Sequence, residues 1–177
     1  MKNKISSAAF FLAILIALNF SCKKDMIEQN DDIKSTKTSI NSSLREGAES
    51  AFNLEVTMHG TRNMNGHIHF RQNPDPAKII TLDVMVHNLM PNHEYQLWRA
   101  VDTILDGNCT GTNWLALGKG LTAQSILTNQ KGDGSEELWR SVTAIASGTI
   151  FDIHFEVRDK ANNEVVLSSD CHQYTVR

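Results

Sequence analysis

The sequence predicts an all-β domain, an antiparallel sandwich or barrel of about 7–8 short strands. From Phe52 onward apolar and polar residues alternate: Leu54, Val56 and Met58 take every second position. A period of two is typical of a strand with one buried face. Glycine, asparagine and proline clusters interrupt the alternation every 10 to 15 residues or so. We find no competing segment of useful length with the helical period.

The strands are predicted in chain order, each ended by a turn. A long connection from Asp102 to Asn113 interrupts the pattern and contains Cys109. Predicted strands occupy 52–59, 67–71, 80–87, 95–100, 138–145 and 151–157, with one or two more in each of 115–128 and 165–176. Their apolar faces are sufficient for one shared core, so we expect the domain to fold alone.

The first residues predict export. Lys2 and Lys4 precede an apolar run from Ala8 to Phe20, broken by Asn19. This run is shorter than the roughly 20 residues of a membrane-spanning helix, and it fits the apolar core of a signal peptide. Ser21-Cys22 at its end is similar to a loose form of the bacterial lipobox. We therefore predict a signal peptide over 1–21 and a lipid on Cys22, the alternative being ordinary cleavage with Cys22 left as a free thiol.

Residues 22–50 are predicted to be the lipid anchor and a disordered tether, and 51–177 the folded domain. The tether segment has no aromatic residue and few aliphatic ones. Such a composition buries too little apolar surface to offset the entropy lost on ordering. The predicted localisation is the bacterial cell envelope, with the outer membrane as the expected site of the anchor.

Charge and cysteine content narrow the partners further. The formal net charge of the chain is -3, and no Lys/Arg cluster follows the signal segment. Nucleic acid is therefore excluded as an expected partner, since it selects clustered cations. Apart from Cys22 the chain has two cysteines, Cys109 and Cys171. We predict a disulfide between them in an oxidising compartment, the alternative being two buried free thiols.

The segments 54–60 and 66–72 resemble the opening hairpin of copper–zinc superoxide dismutases. Cys109, in a long loop, and Cys171, in the last strand, fall where that family has its disulfide. The resemblance covers about 52–176 and implies a Greek-key β-sandwich. The family's copper ligands, a His-x-His in the fourth strand, correspond here to Gln96 and Trp98, neither of which suits copper. The resemblance therefore implies the fold without the dismutase chemistry.

Histidine is the unusual feature of the composition, with seven residues. Alternation places several imidazoles and one carboxylate on the outer face of the first three strands, where they could bind zinc, copper or nickel. The predicted set is His59, His67, His69, Asp83 and His87. The competing interpretation is that these are ordinary polar residues on the solvated face of a sheet.

Trp114 is the aromatic residue singled out for ligand binding, because it lies in the long loop near Cys109. The competing interpretation is packing at the edge of the core. We find no complete catalytic set, and a Gly-x-Ser-x-Gly motif is absent from the sequence. No cofactor is expected, apart from zinc or copper at the histidine face.

Three functional hypotheses follow. The first is a non-catalytic cell-envelope lipoprotein, held to the membrane by its lipid, that presents a disulfide-stapled sandwich to an envelope protein or a glycan. The second is a metal-binding envelope lipoprotein that uses the outer histidines. The third is a degenerate superoxide dismutase-like protein.

Overall fold

The computed structural model describes residues 52–177. The predicted signal peptide, Cys22 and the tether lie outside the described residues. Within 52–177 no helix is long and apolar enough to cross a membrane. The described part is all-β, which confirms the predicted class.

Twelve strands form one nearly closed, barrel-like sheet. Eight have four residues or more and correspond to the predicted strands, whereas 115–128 holds four strands of two residues each, where one or two were predicted. The strands are β1 (Asn53–His59), β2 (Asn65–Gln72), β3 (Ile79–His87), β4 (Glu94–Asp102), β5 (Leu115–Ala116), β6 (Gly118–Lys119), β7 (Thr122–Ala123), β8 (Ile126–Leu127), β9 (Gly134–Ser141), β10 (Ile150–Asp159), β11 (Val165–Ser169) and β12 (His172–Thr175).

The strand order is β5-β4-β10-β11-β1-β2-β3-β9-β6-β7, with β12 paired to β10 and β8 paired to β4. The chain therefore crosses the domain from β3 to β4, returns from β4 to β9 by way of the short strands, and crosses again from β9 to β10. The prediction of a purely antiparallel sheet was wrong at one place. Lys119 of β6 pairs in parallel with Trp139 of β9.

That parallel pair is part of a short segment that links the two edges of the sheet. Leu117 donates its backbone N–H to Leu97 of β4 at 2.8 Å, and Gly120 donates to Trp139 of β9 at 2.9 Å. The two edges are thus joined within four residues. This link nearly closes the sheet. The strands within the link are short because each pairs with an edge of the sheet over only a few residues.

The core fills the inside of this sheet. Val56, Met58, Ile68 and Leu82 are almost completely buried, as the period of two predicts. On β4 the inward positions are Tyr95, Leu97, Arg99 and Val101; the first two are buried and the last two only partly so. The interior is therefore well packed at the end of Tyr95 and Leu97. It is more open at the other end of β4, where the charged residue Arg99 points inward.

The Cys109–Cys171 disulfide forms, which confirms that prediction. It fastens the long connection after β4 to the turn between β11 and β12. Acidic side chains fix the same connection: Asp102 accepts backbone N–H groups of Thr110 and Gly111, both at 2.8 Å, and Asp152 accepts that of Gly107 at 2.9 Å. The loop is therefore ordered by hydrogen bonds as well as by the covalent bond.

Candidate functional sites

The first site is a cluster of Glu55, His67 and His69 on the outer face of β1 and β2. His67 and His69 are two positions apart on one strand, so their side chains share a face, and Glu55 lies directly opposite His69 on the neighbouring strand. One ligand atom from each of the three lies within 4.8 Å of the others. Two imidazoles and a carboxylate are a ligand set that zinc accepts in proteins.

One carboxylate oxygen is shared within this cluster. Glu55 Oε2 lies 2.8 Å from His67 Nε2 and 2.5 Å from His69 Nδ1. His69 Nδ1 is buried and lacks the alignment of a hydrogen bond in this contact. Burial acts to raise the pKa of Glu55, but its interactions with His69 and His67 outweigh this and the pKa lies below its ordinary value. The carboxylate is therefore ionised at neutral pH, the form that coordinates a cation.

The other residues of the predicted metal set lie apart from this cluster. Asp83 is opposite His69 in the sheet, as expected, but its carboxylate contacts the Arg71 guanidinium at 3.3 Å. His87 contacts Asp133 at 3.1 Å. His59 is paired with Asn65 rather than with His67. Glu55 is absent from the predicted ligand set, although its position between the buried-face residues Leu54 and Val56 was a signal that it shares the outer face.

Trp114 belongs to an aromatic stack on the outer face of β4 and β10. Its ring is parallel to that of His154, with centroids 4.6 Å apart. The Arg158 guanidinium lies 4.8 Å from the Trp114 ring centroid and 5.0 Å from that of Trp98, and it pairs with Glu156 at 2.6 Å. Trp114, Trp98 and His154 thus contact one another's neighbours within the domain, and Trp114 is half-buried in this group.

This stack includes Trp98, one of the two positions at which copper ligands would be expected from the dismutase resemblance. Trp98 offers an indole, which has no lone pair for a metal, and the cationic Arg158 lies over its ring. The residues present therefore do not fit copper at this place. We derive no dismutase step from them.

The second site is a cavity in the open end of the sheet, with a volume of about 260 Å³. Its wall is mainly apolar and is formed by β2, β3, β4, β9, β10 and β12 together with the segment after β9. Residues that line it include Phe70, Leu82, Val101, Phe151, Phe155 and Tyr174. Ligand pockets in proteins are typically concave, mostly apolar and about 300–1,000 Å³ in volume, so this cavity is slightly smaller than that range.

Two arginines line the same cavity from opposite edges of the sheet. Arg99 comes from β4 and Arg140 from β9, both at inward positions of their strands. Within residues 52–177 neither guanidinium has a carboxylate at ion-pair distance. Burial, followed by the positive charge of Arg140, lowers the pKa of Arg99 from its ordinary value. An arginine nevertheless remains charged at neutral pH, so the cavity contains two adjacent cations for which residues 52–177 supply no counter-charge.

Comparison of the chain with protein-family models, with curated proteins and with solved structures finds no match. The function must therefore be inferred from the two sites. One is a small polar ligand cluster on the outer face, and the other is a mainly apolar cavity that two arginines also line. Neither places a nucleophile beside a general base, the arrangement that covalent catalysis requires.

Proposed function

We propose that this protein is a non-catalytic, lipid-anchored binding module of the bacterial cell envelope. The cavity in the open end of the sheet carries the proposal, because a concave apolar space with a few polar groups at its rim is the usual form of a small-molecule site. A well-packed domain fills its interior to crystal-like density and leaves few voids larger than a water molecule. A cavity of about 260 Å³ that opens to solvent is therefore a candidate binding site.

The test uses the mature chain from Lys23 onward with its disulfide formed, so that only the signal segment and Cys22 are missing. A neutral apolar dye, N-phenyl-1-naphthylamine, reports binding by its fluorescence. We expect saturable one-to-one binding, abolished by Val101→Phe, which fills the cavity from its wall. Val165→Phe is the matched control, since Val165 is 45% exposed on β11. Equal binding by both variants, or no saturable binding at all, would refute the proposal.

Export and lipidation support the same assignment from the sequence. A hydrophobic leader that ends in Ser21-Cys22, followed by a polar tether, places the domain on a membrane, and a disulfide such as Cys109–Cys171 persists in oxidising compartments. Labelled palmitate is expected to enter the wild-type protein in a bacterial host and to be absent from Cys22→Ser. Incorporation of palmitate into Cys22→Ser would contradict lipidation at Cys22. Recovery of the wild-type protein without label in the soluble fraction would also contradict it. Fractionation of inner and outer membranes tests the proposed outer-membrane location.

The finer fold that we propose is a Greek-key β-sandwich related to copper–zinc superoxide dismutases. Two crossings, β3 to β4 and β9 to β10, support it, because a return to a distant edge is what distinguishes a Greek key from a simple meander. Under this proposal the relation is one of scaffold alone. In β4, Gln96 and Trp98 stand where the dismutases have copper ligands. We therefore expect this chain to share the scaffold as a degenerate dismutase-like protein.

A second candidate function is metal binding at Glu55, His67 and His69. The observation that favours it is the convergence of three ligand atoms within 4.8 Å. Their side chains are 61%, 34% and 31% exposed, which leaves room for a metal and its water. Three protein ligands with an open fourth position are a known zinc arrangement.

Isothermal titration with zinc and with copper, on chelator-stripped protein, tests this second candidate. We expect one-to-one binding that is lost when His67 and His69 are both changed to Ala. His87→Ala is the matched control, because His87 contacts Asp133 away from the cluster. Binding without fixed stoichiometry, or an equal loss in the control, would leave these histidines as polar residues of a solvated face.

A further inference from the structure

We infer that the cavity binds a single-chain amphiphile with an anionic head group, held by Arg99 and Arg140 in the cavity wall while the apolar chain lies against the aromatic and aliphatic lining residues. This inference rests on the proposed function, because it names the ligand class of the same cavity. Fatty acids are the simplest members of the class. A phosphate monoester of a single alkyl chain shares the same chemistry.

The wall specifies the apolar part of the ligand. Aromatic and aliphatic side chains such as Phe70, Leu82 and Phe155 line the interior, and the volume of about 260 Å³ accommodates a medium-length alkyl chain. Exposed apolar residues directly follow two lining residues in sequence. Ile104 and Leu105 follow Thr103 and are 72% and 46% exposed, and Ile150 follows Thr149 and is 41% exposed. These positions provide an apolar surface beside the mouth.

The charges specify the head group. Like charges repel, and a strand that places a charge on its inward face usually pairs it. Arg99 and Arg140 have no acidic partner within residues 52–177, and the charge of Arg140 disfavours the charged form of Arg99. A bound anion would offset this repulsion and accept hydrogen bonds from both guanidinium forks, a geometry that matches carboxylate and phosphate oxygens.

The alternative is that both arginines merely extend along the rim, with their heads in water and their stems against the apolar wall. This arrangement predicts no preference for an anion. It would also leave the affinity for a neutral amphiphile equal to that for a charged one of the same length. The two explanations therefore differ in the ratio of the affinity for a charged amphiphile to that for a neutral one of the same length.

The experiment measures displacement of N-phenyl-1-naphthylamine by decanoate and by decanol, both below their aggregation limits, from the chain that starts at Lys23. We expect decanoate to bind more tightly than decanol. Arg99→Gln and Arg140→Gln should each weaken decanoate binding by about 10- to 100-fold, the usual effect of losing a charge-assisted hydrogen bond. Dye and decanol affinities should stay unchanged in both variants.

Arg71→Gln is the matched control, since it removes the same charge from the outer face, where Arg71 pairs with Asp83. Arg99→Lys keeps the charge without the fork and should lose part of the decanoate affinity; it also provides a second variant if Arg99→Gln fails to fold. Decyl phosphate distinguishes a phosphate from a carboxylate head group, and tight binding of either supports the inference. Equal affinities for decanoate and decanol, or an equal loss in Arg71→Gln, overturn it while the dye still binds. If the dye itself does not bind, the result refutes the proposed binding function of the cavity, on which this inference rests.

Discussion

Removal of the Cys109–Cys171 disulfide is expected to cost the domain a large part of its stability. The cross-link joins residues 62 positions apart. The loop-entropy relation gives about 4 kcal/mol for a closed loop of this length at 25 °C, because the cross-link restricts the unfolded chain. A domain of this kind is stable by about 5–15 kcal/mol in total. The double variant Cys109→Ser, Cys171→Ser should therefore lose a quarter or more of its free energy of unfolding.

Urea unfolding, followed by circular dichroism, measures this loss. The native fold should persist, because Asp102 and Asp152 still hold the long connection by hydrogen bonds to its backbone. The reduced wild-type protein should match the double variant, since both lack only the cross-link. A loss below about 1 kcal/mol would refute the reasoning, because it would mean that the loop is already closed in the unfolded state or that the bond strains the native one.

Three further predictions concern single residues. Tyr174→Phe should destabilise the domain by about 1–3 kcal/mol in urea unfolding, because it removes the buried hydrogen bond from the Tyr174 hydroxyl to Gln72 Oε1; an unchanged midpoint would contradict this. The hydrogen bond with His93 lowers the pKa of Asp159 below its ordinary 3.8, so its contribution to stability is present above about pH 4 and is lost as the pH falls through the lower, folded-state pKa. Asp159→Asn should therefore reduce the difference between the unfolding free energies at pH 7 and pH 3, and an unchanged difference would argue against a stabilising role for the hydrogen bond with His93. Gly132→Ala should cost about 1–3 kcal/mol in the same assay, because Gly132 has φ +81° and an added Cβ would lie 2.0 Å from a backbone oxygen; wild-type stability would show that the turn relaxes freely.

The sequence predicted the strands because their signal is local. Alternation in β1, β3 and β10 is nearly complete. The sequence therefore predicts both that these segments are strands and which of their side chains are buried. The region 115–128 was predicted poorly for the opposite reason. Its two-residue strands follow no period of their own, since their hydrogen bonds are made to edges brought near by the rest of the fold.

The sites were predicted unevenly for a related reason. His67 and His69 could be grouped because one strand carries both, and Glu55 sits opposite them through a short turn. The cavity could not be foreseen, because Arg99 and Arg140 are far apart in sequence and come from two strands whose edges only the complete fold brings together. The available signal was the charged residue Arg99 at an inward position of β4. It indicates an anion site only when Arg140 is known to line the same cavity.

The link between the two sheet edges has a consequence for how such a domain behaves among its neighbours. An open edge offers unpaired N–H and C=O groups to which a strand of another molecule can add. Here β5 and β8 occupy the edge of β4, and β6 occupies that of β9. Under the proposed membrane anchoring, copies of the domain would meet often. The short strands cover part of each edge, four residues of β4 and one of β9, and so reduce the backbone that a second copy could join.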